Sequence, residues 1–443
     1  MGDGPNHGEK LSPNCAKEME HHAKMVSEDV RNDYRLMKAC KEPISRNCKS
    51  EMRDKYHGNL LGCLEDQKPT LKGSCLKHVK DLQLVSLFDY KFNNDFLMMC
   101  SGAVQTYCKA DDYGREIKKK QDVMYCLRNQ LTQPTPKNKE PISDECKNQL
   151  RAEFLKQMSD LDLDPQLLTA CAVDLKDTCR LDGFDDKTQV MECLRKNELK
   201  LTPSCKDKVF VREVQQAEDP DIDPVLQKSC SVAISKYCSD SKGDELLSCL
   251  ENNQHKSGVT HDCKTTLRLR MLKEHSNYLL NIGLRKSCKD DIKMFCKSTL
   301  EGIKKGTIQD GRGAVISCLK DNFDKISIEC GDSMTTILEQ EVVDYKLDPV
   351  LSRFCADDIE ASCPDVPDDQ VEACLRDYIM VVQSEDCTKQ VVRLITEAHG
   401  DVHLDALLMR ACQKDIGYLC GRVLPGKGQI IECLQVNIMY FRL

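Results

Sequence analysis

The sequence predicts an all-α chain built as a tandem array of seven disulfide-stapled, three-helix repeats, elongated in form. Three observations carry this. Its 443 residues are too many for one ordinary core. Its 28 cysteines recur at fixed intervals. The residues around them follow helical steps of four.

The interior is thin. Aromatic residues make up 5% of the chain, with no Trp, while charged residues make up 31%. Each repeat therefore needs a stabiliser besides apolar burial, and an even number of cysteines spread along the chain is the obvious one. Zinc and thiol-redox motifs place two cysteines three or four residues apart. Here none are closer than 8 positions, as between Cys40 and Cys48. An oxidising, secretory compartment follows.

The quartets are Cys15, Cys40, Cys48 and Cys63; Cys75, Cys100, Cys108 and Cys126; Cys146, Cys171, Cys179 and Cys193; Cys205, Cys230, Cys238 and Cys249; Cys263, Cys288, Cys296 and Cys318; Cys330, Cys355, Cys363 and Cys374; and Cys387, Cys412, Cys420 and Cys433. The first and second cysteines are always 25 apart, and the second and third always 8. The third-to-fourth interval runs from 11 to 22. Constant spacing marks a rigid element and variable spacing a loop. The repeats span 12–66, 72–129, 143–197, 202–253, 260–322, 327–378 and 384–437.

The first helix of each repeat opens three residues before the first cysteine, at an N-capping Ser or Thr: Ser12, Ser143, Thr202, Thr260, Ser327 and Ser384. Lys72 breaks the pattern in repeat two. An apolar residue returns four after that cysteine (Met19, Val79, Leu150, Val209, Leu267, Met334, Val391). The second helix starts at Asp33, Asn93, Asp164, Asp223, Asn281, Asp348 and Asp405, with Pro at the next position in three repeats. Leu or Phe stands four before the second cysteine and Ile, Val or Leu four after it. These steps give one buried stripe on a helix of about four turns. Pro43 predicts a kink in repeat one. The fourth cysteine, always followed by Leu, sits in a short third helix.

Four cysteines allow three pairings. The second and third are about 12 Å apart on one helix, too far for a disulfide. If the first two helices pack antiparallel across a short turn, the first cysteine meets the third. The expected disulfides are then Cys15–Cys48 and Cys40–Cys63, with the same first-to-third and second-to-fourth pairing in every repeat. Each would add about 3–4 kcal/mol. Whole quartets at both ends of the array support this choice of repeat boundary, and no free thiol is expected.

The net charge of −8 and pI near 5.8 argue against a nucleic-acid surface and suit attraction of basic partners. No signal peptide or membrane span is visible, so the chain is expected to be part of a longer secretory protein. The acidic runs Asp160–Asp164 and Asp219–Asp223 suggest calcium loops, but Pro165 and Cys171, or Pro224 and Cys230, occupy the Gly and Glu positions. His21 and His22 lack a third ligand at helical spacing. No catalytic motif, cofactor site or metal site is expected. Two insertions are basic: Lys118, Lys119 and Lys120 in repeat two, and Lys304, Lys305 and Arg312 in repeat five. Loops on a rigid scaffold often bind partners, so these six are the candidate ligand-binding residues. The acidic stretches Glu218–Asp223 and Asp365–Glu372 are weaker candidates for a basic ligand.

The fullest copy reads Asp348-Pro-Val-Leu-Ser-Arg-Phe-Cys355-Ala-Asp-Asp-Ile-Glu-Ala-Ser-Cys363. From Cys15 to Cys433 the chain resembles the cysteine-rich repeats of the Golgi apparatus protein 1 family, also known as the cysteine-rich fibroblast growth factor receptor or E-selectin ligand family. The resemblance implies a Golgi-lumenal segment of a single-pass membrane glycoprotein, with its membrane span outside this chain. It also implies that the segment binds fibroblast growth factors and affects their trafficking. No Asn-x-Ser/Thr sequon occurs, so glycan-mediated selectin binding does not carry over to this segment. A structural spacer or sorting scaffold is the alternative.

Overall fold

The structure, a computed structural model, describes residues 12–53, 59–110, 114–131, 136–180, 187–308, 312–423 and 427–441. Among these the chain is helical throughout, with one isolated bridge between Ala110 and Glu116 and no strand. It divides into two compact units, residues 1–212 with 221–224, and residues 213–220 with 225–443.

Every repeat opens with a helix of 16 residues: Pro13–Glu28, Gly73–Phe88, Asp144–Ser159, Pro203–Glu218, His261–Ser276, Ile328–Val343 and Glu385–Gly400. Ser12, Ser143, Thr260, Ser327 and Ser384 each accept a bond from the amide of the first cysteine, as their N-cap position predicts. In repeat two, where Lys72 replaces the capping residue, no side chain makes that bond.

The join to the second helix is a second capped element. Asp29, Asp89, Asp160, Asp344 and Asp401 accept from the amide two residues on, each opening a single 3-10 turn. Asn277 does the same for the amide of Leu279. Asp33, Asn93, Asp164, Asn281, Asp348 and Asp405 then cap the second helix. Two capped starts four residues apart turn the chain away from the first helix, so no antiparallel pair forms.

The second helix runs unbroken in repeats two and seven, as Asn94–Tyr107 and Ala406–Leu419. In repeat one it is divided at Cys40 into Tyr34–Ala39 and Lys41–Asn47. The amide of Cys40 still bonds Leu36 and that of Ile44 still bonds Cys40, so the break is a local bend. Repeats four, five and six bend at Cys230, Cys288 and Cys355 with Ala233, Asp291 and Asp358 in the place of Pro43. The bend therefore does not depend on Pro43.

Among the described residues six apolar cores straddle two repeats, while that of Val402, Cys420 and Ile430 lies within repeat seven. The second and third helices of one repeat close over the first helix of the next. Phe96, Cys100, Val104 and Leu127 pack with Cys146, Leu150 and Phe154, and Leu351, Cys355 and Leu375 pack with Cys387 and Val391. The Leu after the fourth cysteine is at the centre, with Leu64, Leu127, Leu194, Leu319 and Leu375 all fully buried.

Candidate functional site

The cysteines pair across that shared core. Third joins fourth within each repeat: Cys48–Cys63, Cys108–Cys126, Cys179–Cys193, Cys238–Cys249, Cys296–Cys318, Cys363–Cys374 and Cys420–Cys433. Second joins the first cysteine of the next repeat: Cys40–Cys75, Cys100–Cys146, Cys171–Cys205, Cys230–Cys263, Cys288–Cys330 and Cys355–Cys387. The expected first-to-third and second-to-fourth pairs, such as Cys15–Cys48 and Cys40–Cys63, do not form. Their geometry needed a helical hairpin that the capped 3-10 turn prevents. Cys15 and Cys412 remain as thiols, contrary to the expectation of none.

A polar clasp accompanies some of these junctions. Asp174, three residues after Cys171, takes both the amide and the hydroxyl of Thr202, the residue that opens the next repeat. Asp291 does the same for Ser327. Asp358 takes the amide of Gln383.

The predicted basic residues divide. Lys118 and Lys119 are exposed, as are Lys304, Lys305 and Arg312. Lys304 and Lys305 close the helix Lys297–Lys304, where cations suit the negative end of the helix dipole. Lys120 is not a surface residue: its ammonium lies 2.5 Å from Glu153 and both side chains are buried. The insertion packs back against the 3-10 turn Tyr90–Phe92, with the amide of Tyr90 bonding the carbonyl of Lys118 and Lys91 paired with Glu116, which draws Lys120 inward. The acidic stretches are also engaged. Glu218 pairs with Arg285, Asp368 with Lys346, and Asp369 with Arg410.

In the first unit Lys120, Glu153, Lys156, Glu65 and Gln83 line a cavity of about 20 Å³, room for one water molecule. Burial pushes the Glu153 carboxyl up, but the Lys120 and Lys156 ammoniums win and hold it below the usual carboxylate range. Arg212, buried in the same unit, bonds the carbonyl of Gln157 at 2.6 Å and lies 3.9 Å from Asp164. Burial lowers its pKa to about 10.

In the second unit Lys320 bonds Glu341 and Asp348, and Arg393 bonds Asp348 and Glu397. His275 faces Glu341 and Gln340. Glu372 is buried nearby, and desolvation together with Glu341 and Asp348 pushes its pKa to about 8. Sequence reasoning missed this cluster, although a signal existed. Two residues before the fourth cysteine, six repeats carry Leu, Met or Ile and repeat six carries Glu372. Among the described residues no three His, Cys, Asp or Glu side chains are grouped to hold a metal ion. Nor is any described helix long and apolar enough to cross a membrane.

The family model described as Cysteine rich repeat (Cys-rich FGFR) matches seven times, at residues 13–72, 73–135, 144–201, 203–258, 261–327, 329–380 and 385–439. Over 97% of its length the chain is 32% identical to Golgi apparatus protein 1 of Homo sapiens and of Mus musculus. It is 30% identical to the Golgi apparatus protein 1 homolog of Caenorhabditis elegans over 95%. The chain spans 37% of the human and mouse proteins and 39% of the nematode one. No solved structure matches.

Proposed function

From the premise that this chain belongs to the Cysteine rich repeat family and to the Golgi apparatus protein 1 group within it, we propose that it is a lumenal binding segment of the Golgi. Its ligands are fibroblast growth factors, and it affects their passage through the secretory pathway. It works by holding a protein partner and needs no cofactor. Nucleic acid is not among its partners, given a net charge of −8.

The observation that carries this reading is a covalently linked series of small helical cores whose exposed insertions bear Lys118, Lys119, Lys304, Lys305 and Arg312. Such loops are held by cystines rather than by large cores, so their presentation depends on the native disulfides. The binding test compares capture of fibroblast growth factors by the native and by the reduced, alkylated chain. Capture only by the native chain, lowered when the five basic residues become Glu, supports the reading. No capture at low ionic strength removes it.

The six disulfides between successive repeats favour a second reading, a spacer or sorting scaffold that holds distance without a growth-factor ligand. The same capture experiment separates the two.

A further inference from the structure

The cavity of about 20 Å³ in the first unit lies where three repeats converge. Glu65 reaches it from repeat one, Lys120 from repeat two, and Glu153, Lys156 and Gln157 from repeat three. The last three share one face of the helix Asp144–Ser159, at steps of three and four. Among the described residues the disulfides between repeats join successive repeats, and none joins repeat one to repeat three. Those two meet instead through polar groups at this cavity, where Lys156 pairs with Glu65 at 2.7 Å.

Two other glutamines on the wall are engaged: Gln83 accepts from the ammonium of Lys68 at 2.6 Å, and Gln121 donates to Asp164 at 3.0 Å. Gln157 differs from them. It is 4% exposed, and neither its Oε1 nor its Nε2 meets a hydrogen-bond partner among the described residues. Glu341 stands at the same place in repeat six, eleven residues after the first cysteine, and there Lys320 and His275 engage it. A buried amide left unpaired costs the full desolvation of its donor and its acceptor, so Gln157 calls for a partner.

The chemistry of that partner follows from the wall. Lys120 and Lys156 offset Glu65 and Glu153, so the wall as a whole draws neither an anion nor a cation. Burial opposes charge on both Glu153 and Lys156, yet the facing ions hold the carboxyl down and the ammonium up. An amide offers an acceptor oxygen and a donor nitrogen, so its partner must both donate and accept. The volume admits one heavy atom, since a water needs about 10–15 Å³. Water meets all three conditions. We propose that the cavity is the binding site of a single buried water, held by the Gln157 amide and by an ionised group of repeat one or two. It thereby links repeats that no cystine joins, and fixes the first three repeats against one another.

The test compares the full chain with its Gln157→Met variant, whose side chain keeps the length of Gln but has no amide donor or acceptor. A crystal structure of the unmodified chain is expected to show one ordered water within hydrogen-bond distance of the Gln157 amide and of Lys120 or Glu65. This observation needs no variant, so it decides the matter even if Q157M does not fold. In Q157M the water is lost and the unfolding midpoint falls by a few degrees. Amides of the helix Asn59–Asp66 then exchange with deuterium several-fold faster, while those of the helix Ile328–Val343 do not change. A midpoint that holds or rises is the sign of an unpaired amide removed from a dry wall, and it would overturn the proposal. So would a cavity without water, an ion identified there by anomalous scattering, a water touching repeat three alone, or unchanged exchange in the helix Asn59–Asp66.

Discussion

The helices Asn94–Tyr107 and Ala406–Leu419 are the same element of the repeat, each 14 residues long, capped by Asn93 or Asp405 and carrying a second-position cysteine. In the first, Phe96, Cys100 and Val104 are 0–1% exposed under the helix Asp144–Ser159, and Cys100 is bonded to Cys146. In the second, Leu408, Cys412 and Ile416 are half-buried and Cys412 is a thiol. Helix formation is thus local, owing to caps and spacing, whereas burial and cross-linking are lent by the neighbouring repeat.

The largest break in that comparison is removal of the inter-repeat disulfide. Replacing Cys100 and Cys146 by Ser opens a loop of 46 residues and is expected to cost about 4 kcal/mol. C412S, which removes no bond, leaves the unfolding midpoint of the monomer unchanged. Denaturant titration of the two variants checks both.

Apolar truncation comes next. Leu351→Ala, at a fully buried site, is expected to cost about 3 kcal/mol. Leu408→Ala at the half-buried counterpart should cost about 1 kcal/mol or less, the transfer term of a partly exposed side chain.

Repeat six sharpens the comparison through charge. Glu372 occupies a core position that is apolar in the other six repeats. Its folded pKa, about 8, lies above the ordinary 4.5. The unfolded chain therefore binds fewer protons between those values, and the Glu372 penalty grows as pH rises from about 4.5 to about 8. Glu372→Met is expected to raise Tm at pH 8, with the gain shrinking to near nothing towards pH 4. His275 acts in the same direction for a different reason. Burial lowers its pKa, but Glu341 raises it further, so its contribution is complete below about 6.5 and fades as pH rises above that. Thermal melts across this pH range distinguish E372M from H275Q.

A smaller effect than at Leu351 is expected at the polar clasp. Asp174→Ala deprives Thr202 of two hydrogen bonds and should cost about 1–2 kcal/mol. Asp415→Ala, at the exposed residue three after Cys412, leaves stability unchanged. A measurable loss from the latter would mean that Asp415 already serves as a clasp.

Much of this was legible before any coordinates. The 25- and 8-residue intervals, the capping Ser, Thr, Asp and Asn, and the steps of four placed the three main helices of each repeat, though not the 3-10 turns or the helix Lys297–Lys304. The Leu after each fourth cysteine marked the core. The pairing was misread because a short link between two helices suggested a hairpin. The contrary signal was present as a second Asp or Asn, fourteen residues after each first cysteine, at Asp29, Asp89, Asp160, Asp219, Asn277, Asp344 and Asp401. A capped 3-10 turn is set by that residue together with the cap four positions on. Lys120 was misplaced for a related reason. A run of three lysines looks uniformly solvated until the partner of the third, Glu153, arrives from the next repeat.

The sequence by itself determined the secondary structure, the repeat length and the reliance on cystines, because capping and helical periodicity act between residues a few positions apart. Only the tertiary structure decided which sulfurs meet, which repeat covers which, and which charges are buried. Those depend on the direction in which each capped turn sends the chain, and on partners about 30–50 residues away whose distance no local pattern encodes.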